Sequence, residues 1–449
     1  MRKKITTIIL MSVISLAAVF GTGMTATPNQ ASAQDEQVLQ VSYPSWWEDW
    51  FLDLKADFED QNEGVEVELI PLFDDVTTKQ AMMMQSAETA PDVAVEDTYV
   101  INSDVNAGYL GSMQAMVEGW EDWANFEETV KQGVMAEDGE IYGVPFSTDV
   151  QGLWYNRELF KEAGLEEDFA PANWEEVLTA ARAIKDSGQD VIPLFMYLTK
   201  STGEATSMRT FQVLYSGTDS QLYDFDEGKW VIDEKALLDT FTFIHTVLEE
   251  DLGPTMSIAS NSQIGSMLAE TMMPNNEVAM IMDGNWVTGT WRRGDTAEPY
   301  DNAMDIWGFI PFPTQEGQGD GFTSMSGGWA FSIPEQADNK ELAEAFIQMA
   351  VDEEHQLAYV LQTGDMTVRM DVAESDGYLN QAISNYEEAN EILKYTHFRP
   401  TADDYATIST HIQEVVEGVA SGNFTPEDAV QQYKEGLIRI VGEENTVTR

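Results

Sequence analysis

The sequence predicts an α/β fold with a parallel sheet, distributed over at least two domains. Apolar strands at residues 38–42, 65–70 and 91–95 alternate with two helical stretches. Strand and helix in alternation are typical of parallel sheets with crossover helices. The chain has 449 residues, of which 43% are hydrophobic, so it is long enough for several domains with large buried cores.

The periodicity of the apolar residues places the main elements. The helix after the first strand carries Trp47, Trp50, Leu54 and Phe58 at spacings of three and four, which predicts that these side chains are buried. Further helices are predicted at 174–185, at 235–250 and over about 376–441. Further extended stretches are predicted at 152–156, 278–282, 307–311 and 327–334.

Residues 1–33 are predicted to form a secretory signal peptide. A basic start, Met1-Arg2-Lys3-Lys4, precedes an apolar run at 5–20 and the small-residue site Ala31-Ser32-Ala33. The alternative is an uncleaved membrane anchor, but the apolar run is shorter than the ~20 residues of a spanning helix. We therefore expect an exported protein, periplasmic or at the cell surface. The chain has no Cys, which excludes disulfides, thiolate metal sites and a lipid-accepting cysteine.

The charge of the chain excludes one class of partner. It has 79 acidic and 23 basic residues, a formal charge of −56, and the acidic residues are spread along the whole sequence. Such a chain repels phosphate groups, so nucleic acid is not an expected partner. We interpret the charge as an adaptation of an exported protein to high salt or high pH, because net charge governs solubility and not fold.

No cofactor and no metal ion are expected. The four histidines are far apart in sequence and none stands in an H-E-x-x-H motif. No glycine-rich phosphate loop is present either.

Several polar and aromatic residues directly follow predicted strands, where ligands of open α/β sheets bind. Trp46 follows the first strand, and Glu96 and Asp97 follow the third. Trp46 could equally be a surface aromatic, and the two carboxylates could equally serve the start of a helix. Asp283 and Trp286 follow the strand at 278–282 in the same way.

Two further stretches supply candidates. Gly327 and Gly328 would let the backbone approach a ligand, and Trp329 could stack on it, although the glycines could also serve close strand packing. Trp154 and Tyr155 alternate on a predicted strand, so only one of them can face a ligand, and the sequence does not decide which.

The order and spacing of several short motifs are highly specific together. They resemble the family 1 extracellular solute-binding proteins of bacterial ABC sugar importers, over nearly the whole chain beyond residue 33. The matching pieces are Asp57-Phe58, Pro91-Asp92-Val93, Gly108-Tyr109-Leu110, Tyr142-Gly143-Val144-Pro145, Trp154-Tyr155-Asn156, Leu159-Phe160, Asn173-Trp174-Glu175-Glu176, Ala279-Met280, Gly284-Asn285-Trp286 and Gly327-Gly328.

The resemblance implies a two-lobe periplasmic-binding-protein fold, type II-like, with discontinuous lobes joined by hinge strands. Lobe one would hold residues 35–146 and 313–352, and lobe two residues 147–312 and 353–449. The hinge strands would lie near 145–149 and 309–313. The resemblance also implies ligand contacts for Asp149, Trp286 and Arg369, whereas Arg399 is expected only to pair with a carboxylate.

The expected function is binding without covalent chemistry. A carbohydrate, expected to be an oligosaccharide, would be held between the lobes by tryptophan stacking and carboxylate hydrogen bonds. The protein, expected to be a monomer, would then dock on the membrane permease of an ABC importer. The alternatives are the same fold with a polyamine or peptide ligand and, more remotely, a secreted glycoside hydrolase.

Overall fold

The computed structural model describes residues 37–73 and 75–449. The predicted signal peptide, residues 1–33, lies outside the described residues. Residues 37–449 form one compact unit of mixed strands and helices. None of the helices in the described part of the chain is long and apolar enough to cross a membrane.

The described residues contain fourteen strands. In chain order they are β1 Gln37–Pro44, β2 Val65–Leu72, β3 Val93–Asp97, β4 Val144–Thr148, β5 Gln151–Asn156, β6 Tyr223–Asp224, β7 Lys229–Ile232, β8 Met280–Gly284, β9 Trp307–Ile310, β10 Phe312–Pro313, β11 Phe322–Ser326, β12 Gly328–Ser332, β13 Thr396–Phe398 and β14 Thr446–Thr448.

The α-helices of the same residues are α1 Glu48–Gln61, α2 Val76–Met84, α3 Ile101–Asn106, α4 Gln114–Gly119, α5 Glu128–Gln132, α6 Arg157–Glu162, α7 Trp174–Asp186, α8 Val213–Ser216, α9 Glu234–Glu249, α10 Met256–Ala259, α11 Ile264–Met267, α12 Val287–Arg293, α13 Ala303–Ile306, α14 Lys340–Ala350, α15 Glu353–Thr363, α16 Met370–Ala373, α17 Asp376–Leu379, α18 Tyr386–Ile392, α19 Tyr405–Ala420 and α20 Pro426–Val441. Two π-helical stretches, Ala205–Gln212 and Leu268–Met272, precede α8 and follow α11.

The largest sheet has five strands in the order β2-β1-β3-β12-β4. β1 runs parallel to β2 and β3, which confirms the predicted parallel arrangement with α1 and α2 as crossovers. β12 is antiparallel to both of its neighbours, β3 and β4. The apolar face of α1 packs on this sheet, and Trp47, Trp50, Leu54 and Phe58 are buried as predicted.

A second sheet, β8-β5-β9, is antiparallel throughout. Successive side chains of a strand point to opposite faces. Leu153 and Tyr155 of β5 therefore enter one hydrophobic core, and Trp154 enters another. The strand thereby separates two apolar clusters, which we call the second and third cores. The first core surrounds the five-stranded sheet.

The membership of the cores shows where the chain passes between them. Phe312 and Met325 lie in the second core, whereas Ala330 and Phe331 lie in the first. The chain therefore re-enters the first core after residue 325, later than the predicted lobe bound at 313. Tyr359 and other residues up to Tyr386 also belong to the first core, although the sequence assigned residues from 353 onward to lobe two. The lobe bounds stay a prediction. The core memberships favour a bound after residue 325 in place of 313, and favour extending lobe one beyond residue 353.

The chain passes from the first core to the third after Tyr386, and three other segments pass between the first core and the other two near the strand ends of both sheets. They are Thr148–Gln151, Ser326–Gly328 and Gly364–Met366, and we call them the crossings. Hydrogen bonds tie the crossings together: the Thr148 hydroxyl donates to the Gly327 carbonyl at 3.1 Å, the Ser326 hydroxyl to the Asp149 carbonyl at 2.6 Å, and the Met366 amide to the Thr148 carbonyl at 3.0 Å. The predicted hinge near 309–313 instead lies within β9 and β10.

The third crossing packs against the first turn of α12. A Cβ atom on Gly289 would lie 2.1 Å from the carbonyl oxygen of Thr363 and 2.7 Å from the amide nitrogen of Gly364. Contacts this short with backbone atoms cannot be relieved by a side-chain rotation. Asn285, just before α12, also donates from its side chain to the Gly364 carbonyl at 2.8 Å. Glycine at position 289 is therefore required for the position of the third crossing.

We predict that Gly289→Ala lowers the free energy of unfolding by about 1–3 kcal/mol, because the added methyl group displaces the third crossing. The matched control is Gly119→Ala, since Gly119 is also helical, is exposed and has open space around its missing Cβ. Denaturant unfolding of the three proteins measures the difference. A Gly289→Ala protein as stable as the control would contradict the steric argument.

Candidate functional site

Strands from both sheets end at the crossings, and most of the predicted site residues lie there. β3 and β4 end at the edge of the large sheet where β12 begins, because β12 runs antiparallel to both. β5 begins beside the carboxyl end of β8, where Gln151 pairs with Gly284. The structure thus brings the following predicted residues to one region: Trp46, Asp97, Asp149, Asp283, Trp286, Gly327, Gly328 and Trp329.

Three tryptophans form an aromatic edge on the large sheet. The ring centroid of Trp329 lies 5.8 Å from that of Trp46 and 5.1 Å from that of Trp47, in edge-to-face contacts. Trp47 is buried, Trp329 is half-buried and Trp46 is 55% exposed. Trp46 and Trp329 therefore offer ring surface to a ligand, while Trp47 supports them.

Phe73 is an aromatic residue at this edge that the sequence reasoning missed. It follows β2 directly and is 71% exposed. β2 and β1 run side by side with Leu72 opposite Pro44, so Phe73 and Trp46 leave the same edge of the sheet. An aromatic residue just past a predicted strand was the sequence signal that could have identified it.

The two glycines before Trp329 make room for protein groups. A Cβ atom on Gly327 would lie 2.7 Å from Nη2 of Arg399, and one on Gly328 would lie 2.7 Å from the Ser147 carbonyl oxygen. Gly328 therefore allows close strand pairing with β4, and Gly327 allows the Arg399 side chain to lie against the second crossing.

Arg399 is a central charge of the region, although it was expected from the sequence only to pair with a carboxylate. Its Nη1 and Nη2 atoms bond to the carboxylate of Asp97 at 3.1 and 2.5 Å, and Glu204 lies 3.5 Å from Nη1. The guanidinium also lies over the ring of Tyr99 at 4.5 Å. Burial raises the pKa of Asp97 to about 6, although the Arg399 charge acts in the opposite direction. The pair joins the end of β3 to the segment after β13.

Asp149 lies within the first crossing. Its carboxylate accepts from the Gln151 side chain at 2.9 Å and from the Gly327 amide at 3.3 Å. Burial raises the pKa of Asp149, while the nearby charges of Arg399 and Arg209 lower it. The carboxylate is thus held by neutral donors between two guanidinium groups.

Asp283 is fully engaged by protein donors. It accepts from the Tyr197 hydroxyl at 2.7 Å, from Nη1 of Arg209 at 3.0 Å and from the Gly284 amide at 2.8 Å. Trp286 lies beside it, with the Arg209 guanidinium over its ring. Neither Tyr197 nor Arg209 was predicted from the sequence, because neither residue directly follows a predicted strand.

Three predicted residues lie elsewhere. Trp154 and Tyr155 are both buried, in the third and second cores respectively, and neither offers an exposed ring face. Arg369, for which the resemblance implied a ligand contact, is only 2% exposed and forms ion pairs with Asp122 and Asp371. Among the described residues, Arg369 forms its ion pairs with residues outside the candidate site. Its guanidinium holds the segment after the third crossing against the first core.

Glu96 lies on the opposite face of β3 from Asp97. In the register of the sheet Ala330 is opposite Glu96, and Trp329 is opposite Asp97. Glu96 is completely buried, and neither of its carboxyl oxygens has a hydrogen-bond partner among the described residues. Burial, reinforced by the charges of Asp104 and Asp97, raises the pKa of Glu96 well above its usual range. Burial also raises the pKa of Asp104 to about 7.

We predict that Glu96→Gln stabilises the protein increasingly as the pH rises. The pKa of Glu96 is higher in the folded state than its ordinary value of 4.5, so the folded state holds the proton that the unfolded state releases above that pH. Stability is therefore lost as the pH rises from 4.5 toward the folded pKa. Glutamine removes this penalty and should gain about 1–3 kcal/mol at pH 8 but little at pH 4.

Thermal unfolding of wild type and Glu96→Gln from pH 4 to pH 9 measures this effect. Glu63→Gln is the control, since Glu63 is exposed and should leave the pH profile unchanged. A constant difference between Glu96→Gln and wild type at all pH values would show that Glu96 does not titrate as described.

Comparison with known proteins gives a family. Residues 42–357 match the family described as bacterial extracellular solute-binding protein. The putative ABC transporter periplasmic-binding protein YcjN of Escherichia coli is 25% identical over 194 residues, which are 42% of this chain and 43% of YcjN. The maltodextrin-binding protein MdxE of Bacillus subtilis is 22% identical over 445 residues, which are 94% of this chain and 95% of MdxE. The match to YcjN thus spans less than half of that protein.

A solved structure shares the fold. The crystal structure of an ABC transporter solute-binding protein from Thermotoga lettingae, bound with α-D-tagatose, matches with a TM-score of 0.77 at 23% identity. The match covers 90% of this chain and 100% of the other. The likeness confirms the predicted α/β two-lobe fold.

Proposed function

Because the chain belongs to the family of bacterial extracellular solute-binding proteins, we propose that it binds a carbohydrate between its lobes and delivers it to an ABC importer. Membership of this family makes the chain a binding protein and not an enzyme. The exposed tryptophan edge of Trp46 and Trp329 beside the crossings is the observation on which the carbohydrate assignment depends.

A sugar has apolar C–H faces and a rim of hydroxyl groups. Aromatic rings with exposed faces bind the first, and a few fixed polar groups bind the second. The region offers both, since Trp46 and Trp329 lie near the carboxylates of Asp97 and Asp149. MdxE is by its name a maltodextrin-binding protein, and the T. lettingae structure is bound with α-D-tagatose. A sequence relative and a structural neighbour therefore both support a carbohydrate as the ligand.

The ligand would lie between a lobe built on the first core and a lobe built on the second and third. We place the bending points at the three crossings, because these segments and the contacts around Arg399 connect the cores near the site. Contacts with the ligand made only in the closed arrangement would then favour closure.

The size of the ligand is part of the proposal. Phe73 and Trp46 extend the aromatic edge beyond Trp329, which favours an oligosaccharide over a single sugar ring. Export, a monomeric state and docking of the closed form on a membrane permease complete the proposed role.

A polyamine is the second candidate ligand. The crossing region holds more carboxylates than guanidinium groups. Arg209, Arg399 and, for Asp365, Arg293 are the counter-charges to Asp97, Asp149, Glu204, Asp283 and Asp365 among the described residues. Such an excess of negative charge is chemically suited to a cation.

Titration calorimetry of the protein in high salt distinguishes the two. The panel contains maltotriose, arabinotriose, xylotriose, D-tagatose and spermidine. Micromolar or tighter binding of one sugar, without hydrolysis on long incubation, supports the proposal. A signal for spermidine alone would replace the carbohydrate with a polyamine.

We predict that Trp329→Ala weakens binding of the sugar by about 1–3 kcal/mol, because the ligand loses a stacking ring. Phe225→Ala is the control, since Phe225 is an exposed aromatic residue away from the site, on the turn between β6 and β7. Calorimetric dissociation constants of the two variants and wild type give the result. Unchanged affinity in Trp329→Ala would remove this ring from the site.

A further inference from the structure

The ring of Trp286 already has neighbours within the protein. A Cβ atom on Gly284 would lie between 1.9 and 2.4 Å from three carbons of the ring, so the ring rests on the backbone of that glycine. The guanidinium carbon of Arg209 lies over the ring, 4.5 Å from its centroid. A sugar could stack on this face of Trp286 only if Arg209 moved away.

Arg209 is held firmly where it lies. Its Nη1 atom donates to Asp283 at 3.0 Å, and its guanidinium also lies 5.0 Å from the ring centroid of Tyr197. The Tyr197 hydroxyl donates to the other oxygen of the same carboxylate at 2.7 Å. Two aromatic rings and one carboxylate therefore fix both the position and the plane of the guanidinium.

Arg209 and Trp286 are both partly exposed, whereas Asp283 and Tyr197 are buried. The side chain of Arg209 is 26% exposed, whereas that of Asp283 is 5% exposed. A guanidinium has five N–H donors, and in the described part of the chain Asp283 takes one through Nη1, with the Tyr197 hydroxyl close by. Most of the donors are therefore left for another acceptor.

The backbone that carries Arg209 is unusual. Ala205–Gln212 is a π-helix of eight residues, and π-helical segments are rare and occur frequently at functional sites. The wider turn sets Arg209 beside β8, where it reaches Asp283, while Ser207 of the same segment bonds to Ser409 of α19 at 2.7 Å. The π-helical segment thus places the Arg209 side chain within reach of Asp283.

We propose that Arg209, and not the ring face of Trp286, is the ligand-contacting group on this side of the site. Its free N–H groups donate to hydroxyl oxygens of the sugar, while Asp283, Tyr197 and Trp286 position the guanidinium. This inference rests on the proposed carbohydrate function. It gives the two sides of the site different tasks, with stacking at Trp46 and Trp329 and hydrogen-bond donation at Arg209.

The test uses the full chain and the same sugars, maltotriose, arabinotriose, xylotriose and D-tagatose. Arg209→Met should raise the dissociation constant of the bound sugar about 10- to 100-fold, because charged hydrogen bonds to the ligand are lost. Arg209→Lys should also weaken binding, by about tenfold or more, since an ammonium lacks the planar fork of donors. Trp286→Phe keeps an aromatic surface under the guanidinium and should therefore weaken binding less than Arg209→Met does.

A second variant guards against misfolding. Arg209→Met leaves Asp283 buried without its counter-charge, so the double variant Arg209→Met with Asp283→Asn restores neutrality. Thermal unfolding shows which variants are folded, and the double variant should be folded and should bind as weakly as Arg209→Met.

Two results would overturn the inference in distinguishable ways. Wild-type affinity for a sugar in folded Arg209→Lys and in the double variant removes Arg209 from the site but leaves the carbohydrate assignment intact. Failure of the wild type itself to bind any of the sugars overturns the carbohydrate assignment and the role of Arg209 together.

Discussion

The three crossings, tied to one another by short hydrogen bonds, are the constraint on which the rest of the structure depends. Ser326 and Thr148 join the first two crossings through backbone carbonyls, and Met366 joins the third to the first. β3, β4 and β8 end beside these segments, so the side chains at or just after these three strand ends are brought to the same region. The site is therefore a consequence of where the chain changes core, and its residues come from distant parts of the sequence.

Several carboxylates near the crossings are buried with few positively charged partners. Asp97 and Asp283 have arginine partners, whereas Asp149 is held by an amide side chain and a backbone N–H. Asp365, in the third crossing, receives the Tyr359 hydroxyl, and burial raises its pKa to about 7. In a chain with so many acidic residues, the few guanidinium groups near the crossings supply most of the opposite charge in this region.

Sequence reasoning succeeded where periodicity decides the structure. The buried face of α1 and the parallel pairing of β1 with β2 and β3 follow from local patterns, and Trp46 and Asp97 lie at the ends of these strands, as predicted. It failed where the decision depends on tertiary partners. Arg369 and Arg399 look alike in the sequence, yet only the fold shows that the first serves Asp122 and the second serves Asp97.

Dependence on tertiary partners also explains why other site residues were not predicted correctly from the sequence. Alternation along β5 correctly separated Trp154 from Tyr155, but the strand is covered on both faces, so neither ring is available. Arg209 and Tyr197 could not be identified because neither a strand end nor a motif marks them. Nothing in the local sequence shows that they converge on Asp283, since the three residues meet only through the fold.

The place of β12 in the large sheet has a consequence for how the protein is made. This strand lies between β3 and β4, yet residues 149–327 separate it from β4 in the chain. As the chain emerges from the ribosome, the first 148 residues therefore lack the strand that completes their sheet. Pairings so distant in sequence close slowly, because the entropy of a long loop must be overcome before they form. Nascent chains shorter than about 330 residues consequently expose unpaired strand edges, and these are the species that a chaperone would have to protect.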